Sequence, residues 1–250
     1  MSDRVIEAGS VSEGWLLGAR ALLSRRPSRA NHLLIRMSAP LPEDTEVRRR
    51  IDALPAELGF QEVEEVRNTI FPLETAEDAR TPQELVAEYR SVYEFVKQLG
   101  SPHGTYFGRI VAYPRRKHAK AYDDDARTEM GDQLTHTIDK LRKARAGQRW
   151  RATYEIDIYC EEEDRDIKRG FPCMSHLAFQ VDRDRLDCLA TYRSHDLAHK
   201  AYGNYLALAQ LQAYVAGRSG FQPGELAVLA GHAFVALTGE ARWRFAEVVG

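Results

Sequence analysis

Cys160, Cys173 and Cys188 are the three thiols of this sequence, and none belongs to a C-x-x-C pair. An odd count with that spacing argues against a disulfide framework or a structural zinc site, so reduced cysteines are expected. A free thiol, with a pKa of about 8.5, is ionised only to a few per cent at neutral pH, and a nearby cation raises the reactive fraction. Cys173 follows Pro172, and two strand-like segments later stands Arg193-Ser194. An arginine can hold an anion through a bidentate charge-assisted pair, and a serine can add a hydroxyl donor. Asn204 carries both a donor and an acceptor, which suits a ligand edge that presents one of each. Each also has a plainer use: a buried thiol, a surface ion pair, a helix-end asparagine after Gly203. Asp196 could simply cap the helix that follows it.

A metal site is the other chemistry to weigh. His195 and His199 are four residues apart and would share a face if a helix began early enough, with Asp196 beside them. His118, His136 or His232 would have to supply a third ligand, and a pair without one is ordinarily two surface histidines, so no metal is expected.

The elements that must position these residues read as follows. Helices are expected over 14–25, 47–54, 82–99, 132–144 and 196–215, and strands over 32–37, 62–71, 106–111, 149–160, 173–182 and 186–193. The helix at 82–99 has the clearest ends: Thr81 and Glu84 form a T-x-x-E box, Pro82 suits the first turn, and Gly100 the stop. Its apolar stripe is Leu85, Tyr89, Val92, Phe95, Val96 and Leu99. Residues 115–128 read as a solvated loop and Glu161-Glu162-Glu163-Asp164 as a charged turn, while 225–237 fits helix or strand. No linker or repeat cuts the chain, so one domain over 1–250 is expected.

The block Phe171-Pro172-Cys173, two strands, and then Tyr192-Arg193-Ser194-His195-Asp196 resembles the active-site region of the thymidylate synthase superfamily, where a Pro-Cys nucleophile precedes a Gln-Arg-Ser-x-Asp segment. Asn204, eight residues past Asp196, stands at the spacing of that family's base-reading asparagine. Asp132-Gln133-Leu134 with Arg149 after it is similar to the family's Asp-Gln-[Leu/Ile] helix and following arginine pair. The resemblance covers 132–236; residues 1–105 diverge, and Phe107-Gly108 and Tyr113-Pro114 faintly resemble the family's Tyr-Gly…Trp-Pro stretch.

The resemblance implies an α/β fold, a thymidylate synthase-like mixed β-sheet flanked by helices, dimerising through that sheet. It implies that Cys173 adds to C6 of a pyrimidine so that C5 can attack a one-carbon donor, with 5,10-methylenetetrahydrofolate as the cofactor. Arg193 and Ser194, with Arg149 crossing from the partner subunit, would hold the phosphate of a pyrimidine nucleotide monophosphate. Asn204 would read the base and Asp196 would contact the pterin. Asparagine at 204 leans towards a uridylate, since members acting on cytosine nucleotides tend to have aspartate there. Several positions depart from the pattern. Met174 stands where a histidine usually follows the nucleophile, and His176, three residues on from Cys173, faces the other way unless a bulge intervenes. Gln148 replaces one arginine, and Ala230-Gly231-His232-Ala233-Phe234 matches the sugar-binding Gly-Gly-Asp-x-His-x-Tyr imperfectly. The family's catalytic glutamate has no evident counterpart in the N-terminal half. The sequence stops at Gly250, short of a closing tail, which puts hydroxymethylation beside methylation as the expected outcome. The alternative is an inactive relative that only binds a nucleotide.

Composition narrows the partners. With 35 basic and 37 acidic residues the formal charge is -2, which gives no global electrostatic case for nucleic acid or an anionic membrane. No apolar run approaches the ~18 residues of a spanning helix, and Met1-Ser2-Asp3-Arg4 lacks a signal-peptide layout, so a cytoplasmic location is expected.

Overall fold

The computed structural model describes residues 4–114, 131–148, 150, 153–168, 170 and 172–250. In chain order its elements are β1 (Val5–Ala8), α1 (Val11–Leu23), β2 (Arg29–Met37), α2 (Thr45–Asp52), α3 (Val63–Ile70), α4 (Leu73–Asp78), α5 (Pro82–Gly100), α6 (Tyr106–Val111), α7 (Gln133–Arg145), β3 (Glu155–Asp157), α8 (Glu161–Asp164), β4 (Met174–Asp182), β5 (Arg185–Tyr192), β6 (His195–Asp196), α9 (Ala201–Ser219), β7 (Gln222–Phe234) and α10 (Gly239–Val249). Among the described residues they build a seven-stranded mixed sheet in the order β1-β2-β7-β5-β4-β3, with β6 pairing β7. Strand β7, left open between helix and strand in the sequence, is the hub: it runs antiparallel to β2 and parallel to β5.

The pleat sorts this sheet into two unlike faces. Ile35, Val228 and Ala190 lie opposite one another across β2, β7 and β5, and all are buried. Helices α1 and α9 cover that face: Gly14 and Gly18 of α1 let its backbone approach the side chains of Ile35 and Met37. The opposite face carries Leu34, Leu229, Ala227 and Leu189, each half-buried. Helix α9 has no polar side, because it packs between the sheet and α1, α3 and α7, and every residue from Ala201 to Ala209 is buried. No helix among the described residues is long and apolar enough to cross a membrane.

Several expectations are overturned. Residues 62–71 form no strand: Val63, Val66, Arg67 and Ile70, spaced three and four apart, make the buried face of α3. The segment 106–111 is the helix α6, whose first turn is fixed by the Thr105 side chain accepting from the Gly108 N–H; a short run that is buried nearly throughout has no readable period. Glu161–Asp164 is a single helical turn, α8, and the strand expected over 149–160 is confined within the described residues to β3. The last long helix starts at Ala201 because His195–Asp196 is occupied as β6, pairing with Ala233 and Phe234. In α5 the cap is as expected, with Thr81 accepting from the Glu84 N–H at 3.1 Å, but Val92, Phe95 and Leu99 are exposed. The loop expected over 115–128 lies outside the described residues.

Candidate functional site

The hairpin β4–β5 explains why Cys173 and Arg193 meet. Met174 pairs with Tyr192, so the residues just beyond that pair sit side by side at the end of the ladder. The Arg193 N–H donates to the Cys173 carbonyl at 2.9 Å, and its guanidinium Nη2 reaches the Cys173 Sγ at 3.7 Å. A third contact runs from Arg193 Nε to the Pro172 carbonyl at 3.4 Å. The thiol therefore has a cation as its immediate neighbour, held by backbone geometry.

A cleft of about 530 Å³ opens over this pair, within the range of small-ligand sites. One wall is α3 with the residue before its cap: Gln61 precedes the helix, and Glu65, Val66 and Thr69 come from it. Ser101, Gly104, Thr105 and Tyr106 line a second side, Gly170, Pro172 and Cys173 form the floor with Arg193, and Lys200 and Asn204 come from the start of α9. Asn204 is 2% exposed and its Oδ1 has no hydrogen-bond partner among the described residues. A buried acceptor left open in this way needs an N–H from a ligand or water. The Tyr106 Oη accepts from the Cys173 N–H at 3.3 Å, and burial pushes its pKa up to about 12, so it stands beside the sulfur as a neutral phenol.

Tyr106 and Glu65 were not anticipated as site residues. Both lie in segments whose helical state was misread, and no spacing in the sequence would have marked them. On α3, Glu65 and Thr69 stand four residues apart and share the cleft face.

The remaining expected residues separate clearly. Ser194 is half-buried beside Arg193 and does not line the cleft. Asp196 is used by its own turn: one oxygen accepts from the Ala198 and His199 N–H groups, and the other lies 2.8 Å from the His199 Nδ1. It therefore caps its own turn and not the following helix, which starts only at Ala201 with Lys200 at its cap position. Arg149 lies outside the described residues. A bulge does follow Met174, yet His176 still faces away from the cleft, with its ring nitrogens on Asp157 and Glu155. His232 lies beside Asn31, with its Nδ1 3.1 Å from the amide oxygen. Cys160 and Cys188 are buried, and burial pushes the Cys188 thiol well up, which leaves Cys173 as the thiol that meets the cleft. His195 and His199 sit on a strand and a turn, so they share no helical face, and the described residues hold no cluster of three or more His, Cys, Asp or Glu arranged for a metal.

His195 instead packs between Tyr192 and Tyr205, with ring centroids 4.2 and 5.3 Å away, and burial pulls its pKa down to about 4. Between that value and the unfolded 6.5 the unfolded chain binds the extra proton, so stability is complete above the higher value and is lost as pH falls towards the lower. The loss amounts to about 3 kcal/mol. Denaturant midpoints followed from pH 7 to pH 4 should show this fall, and His195→Gln should flatten it.

Behind the floor, Arg109 and Asp164 form a buried ion pair with bonds of 2.6 and 2.8 Å. Arg109 also donates to the carbonyls of His103 and Ile158, and Asp164 accepts from the Cys160 N–H. The pair fastens α6, which carries Tyr106, to α8, from which the chain runs on to Cys173.

A family model described as thymidylate synthase matches residues 85–237. The chain belongs to the thymidylate synthase family. It is 29% identical over 181 residues to a provisionally named thymidylate synthase of Methanopyrus kandleri, covering 69% of this chain and 77% of that protein. A similarly named protein of Methanocaldococcus jannaschii is 22% identical over 175 residues, covering 68% and 74%. Cys173, Arg193 and Asn204 all fall inside the matched stretch, whereas the α3 wall lies before it. The mixed sheet flanked by helices agrees with a thymidylate synthase-like fold, and membership points to a one-carbon transferase acting at C5 of a pyrimidine nucleotide.

Proposed function

We propose that this protein modifies C5 of a pyrimidine nucleotide monophosphate, a uridylate by preference, with a one-carbon unit, through covalent addition of Cys173 to C6. The observation that carries the reading is the Arg193 guanidinium 3.7 Å from the Cys173 sulfur in the same cleft as the open Oδ1 of Asn204. Arg193 has the chemistry to take the phosphate, with Ser194 beside it and Arg149 reaching across a dimer as the family pattern implies. Asn204 offers its amide to the N3–H and O4 of the base. Once sulfur occupies C6, C5 becomes nucleophilic, and Tyr106 and Glu65 are placed to orient or exchange protons in the cleft. A donor of the 5,10-methylenetetrahydrofolate type supplies the one-carbon unit. A second pocket of about 310 Å³, sharing Glu65, Thr69, Ser101 and Thr105 with the first, gives room for it. Asp196 would have to give up its contacts within the turn to reach a pterin. We read the half-buried face of Leu34, Leu229 and Leu189 as the surface that pairs two copies, and the whole chain as one domain, since β1, β2 and β7 join both ends in one sheet.

The test is release of tritium from 5-tritiated dUMP, UMP, dCMP and CMP with the donor present. Release from a uridine nucleotide that disappears in Cys173→Ser supports the reading; none from any of the four argues against it. A second reading, a nucleotide-binding relative without turnover, draws on Met174 following Cys173 while His176 turns to Glu155 and Asp157. It predicts saturable binding that survives Cys173→Ala.

A further inference from the structure

The start of α9 breaks two local rules at once. This 19-residue helix has Lys200 at its cap position, and no side chain satisfies its first N–H groups there. Helices α1, α2, α5, α6 and α7 are capped by Ser10, Asp44, Thr81, Thr105 and Asp132, and although α3, α4, α8 and α10 also lack a side-chain cap, α9 differs in having a cation at that position. A cation at the positive end of a helix is electrostatically unfavourable, and no carboxylate among the described residues pairs with Lys200. Violations of this kind gather at functional sites. The second observation is Asn204. Its N–H donates to the Lys200 carbonyl at 3.0 Å, one helical turn away, and both side chains line the cleft that holds Cys173 and Arg193. Asn204 is 2% exposed, with its Oδ1 open. A ligand edge that satisfies Asn204 thus comes within reach of the Lys200 ammonium.

We propose that Lys200 is a catalytic residue of the Cys173 reaction: with the α9 N-terminus, it holds the negative charge that appears on the pyrimidine O4 when sulfur adds to C6. The proposal rests on the reading above, that a pyrimidine nucleotide occupies the cleft. In that step the thiolate electron pair forms the S–C6 bond, the C5=C6 pair moves to C4–C5, and the C4=O4 pair moves onto the oxygen. The result is an enolate, with no oxidant, reductant or further reactant needed. Asn204 pairs with the base before and after addition, whereas an ammonium at O4 acts mainly once the charge has formed. Its effect therefore belongs in the rate of addition, with little effect on nucleotide affinity.

Lys200→Met and Lys200→Arg in the full chain test this. For Lys200→Met, calorimetry should give a dUMP Kd within about threefold of wild type, while adduct formation with 5-fluoro-dUMP slows roughly 100-fold, as for loss of one oxyanion donor. Lys200→Arg should recover most of the rate. Without ligand the Lys200→Met Tm should rise by about 2–4 °C, because a misplaced charge has gone. An adduct rate within about threefold of wild type, with binding retained, would overturn the proposal and leave the nucleotide reading standing. So would a tenfold loss of affinity with an unchanged rate at saturation, which would make Lys200 a phosphate contact. A lowered Tm with binding and rate lost together would make it structural. If the wild type neither binds a pyrimidine nucleotide nor forms the adduct, the underlying reading falls as well.

Discussion

Cys173→Ser should remove tritium release from a 5-tritiated uridine nucleotide, by roughly ten-thousandfold or more, while leaving the nucleotide bound. Serine keeps the shape of the side chain but not an ionisable thiol, and a hydroxyl beside an arginine stays protonated at neutral pH. Affinity should hold because the proposed contacts to phosphate and base belong to Arg193 and Asn204, which the substitution does not touch. Binding by calorimetry and tritium release on the same preparation separate the two effects. Equal loss of both would indicate a collapsed site instead of a missing nucleophile.

Breaking the Arg109–Asp164 pair should be the most destabilising single change described above. Arg109 is 2% exposed and Asp164 1%, so removing either leaves the other charged, buried and without its partner. Such losses cost about 3–5 kcal/mol, which for a chain of this size lowers the Tm by about 10 °C. Arg109→Met and Asp164→Leu should each show it in a thermal melt. The double variant should recover much of the loss, since no buried charge remains. Activity well below the melt should also fall in the single variants, because the pair fastens α6, with Tyr106, to α8, from which the chain leads to Cys173.

The half of the site built from a hairpin and the helix after it was legible in the sequence. Cys173, Arg193 and Asn204 lie in the motif that carries the family resemblance, and the β4–β5 hairpin with the start of α9 brings them to one cleft. The α3 wall was not. Its buried residues at 63, 66, 67 and 70 lie among glutamates that blurred the period, and reading it as a strand hid Glu65. Tyr106 was hidden for a related reason: a short apolar run buried nearly throughout does not declare its secondary structure. Asp196 kept its place in the motif while its oxygens went to neighbouring N–H groups and His199, a local competition that spacing does not reveal. The fold class rested on the family resemblance of residues 132–236 and not on the strand set, and so it survived these errors.

Intact-mass analysis after incubation with 5-fluoro-dUMP tests the central claim most directly. Wild-type protein should gain the mass of one nucleotide per chain, peptide mapping should put it on Cys173, and Cys173→Ser should gain nothing. An unmodified mass under saturating nucleotide, or a label on Cys160 or Cys188, would contradict the account.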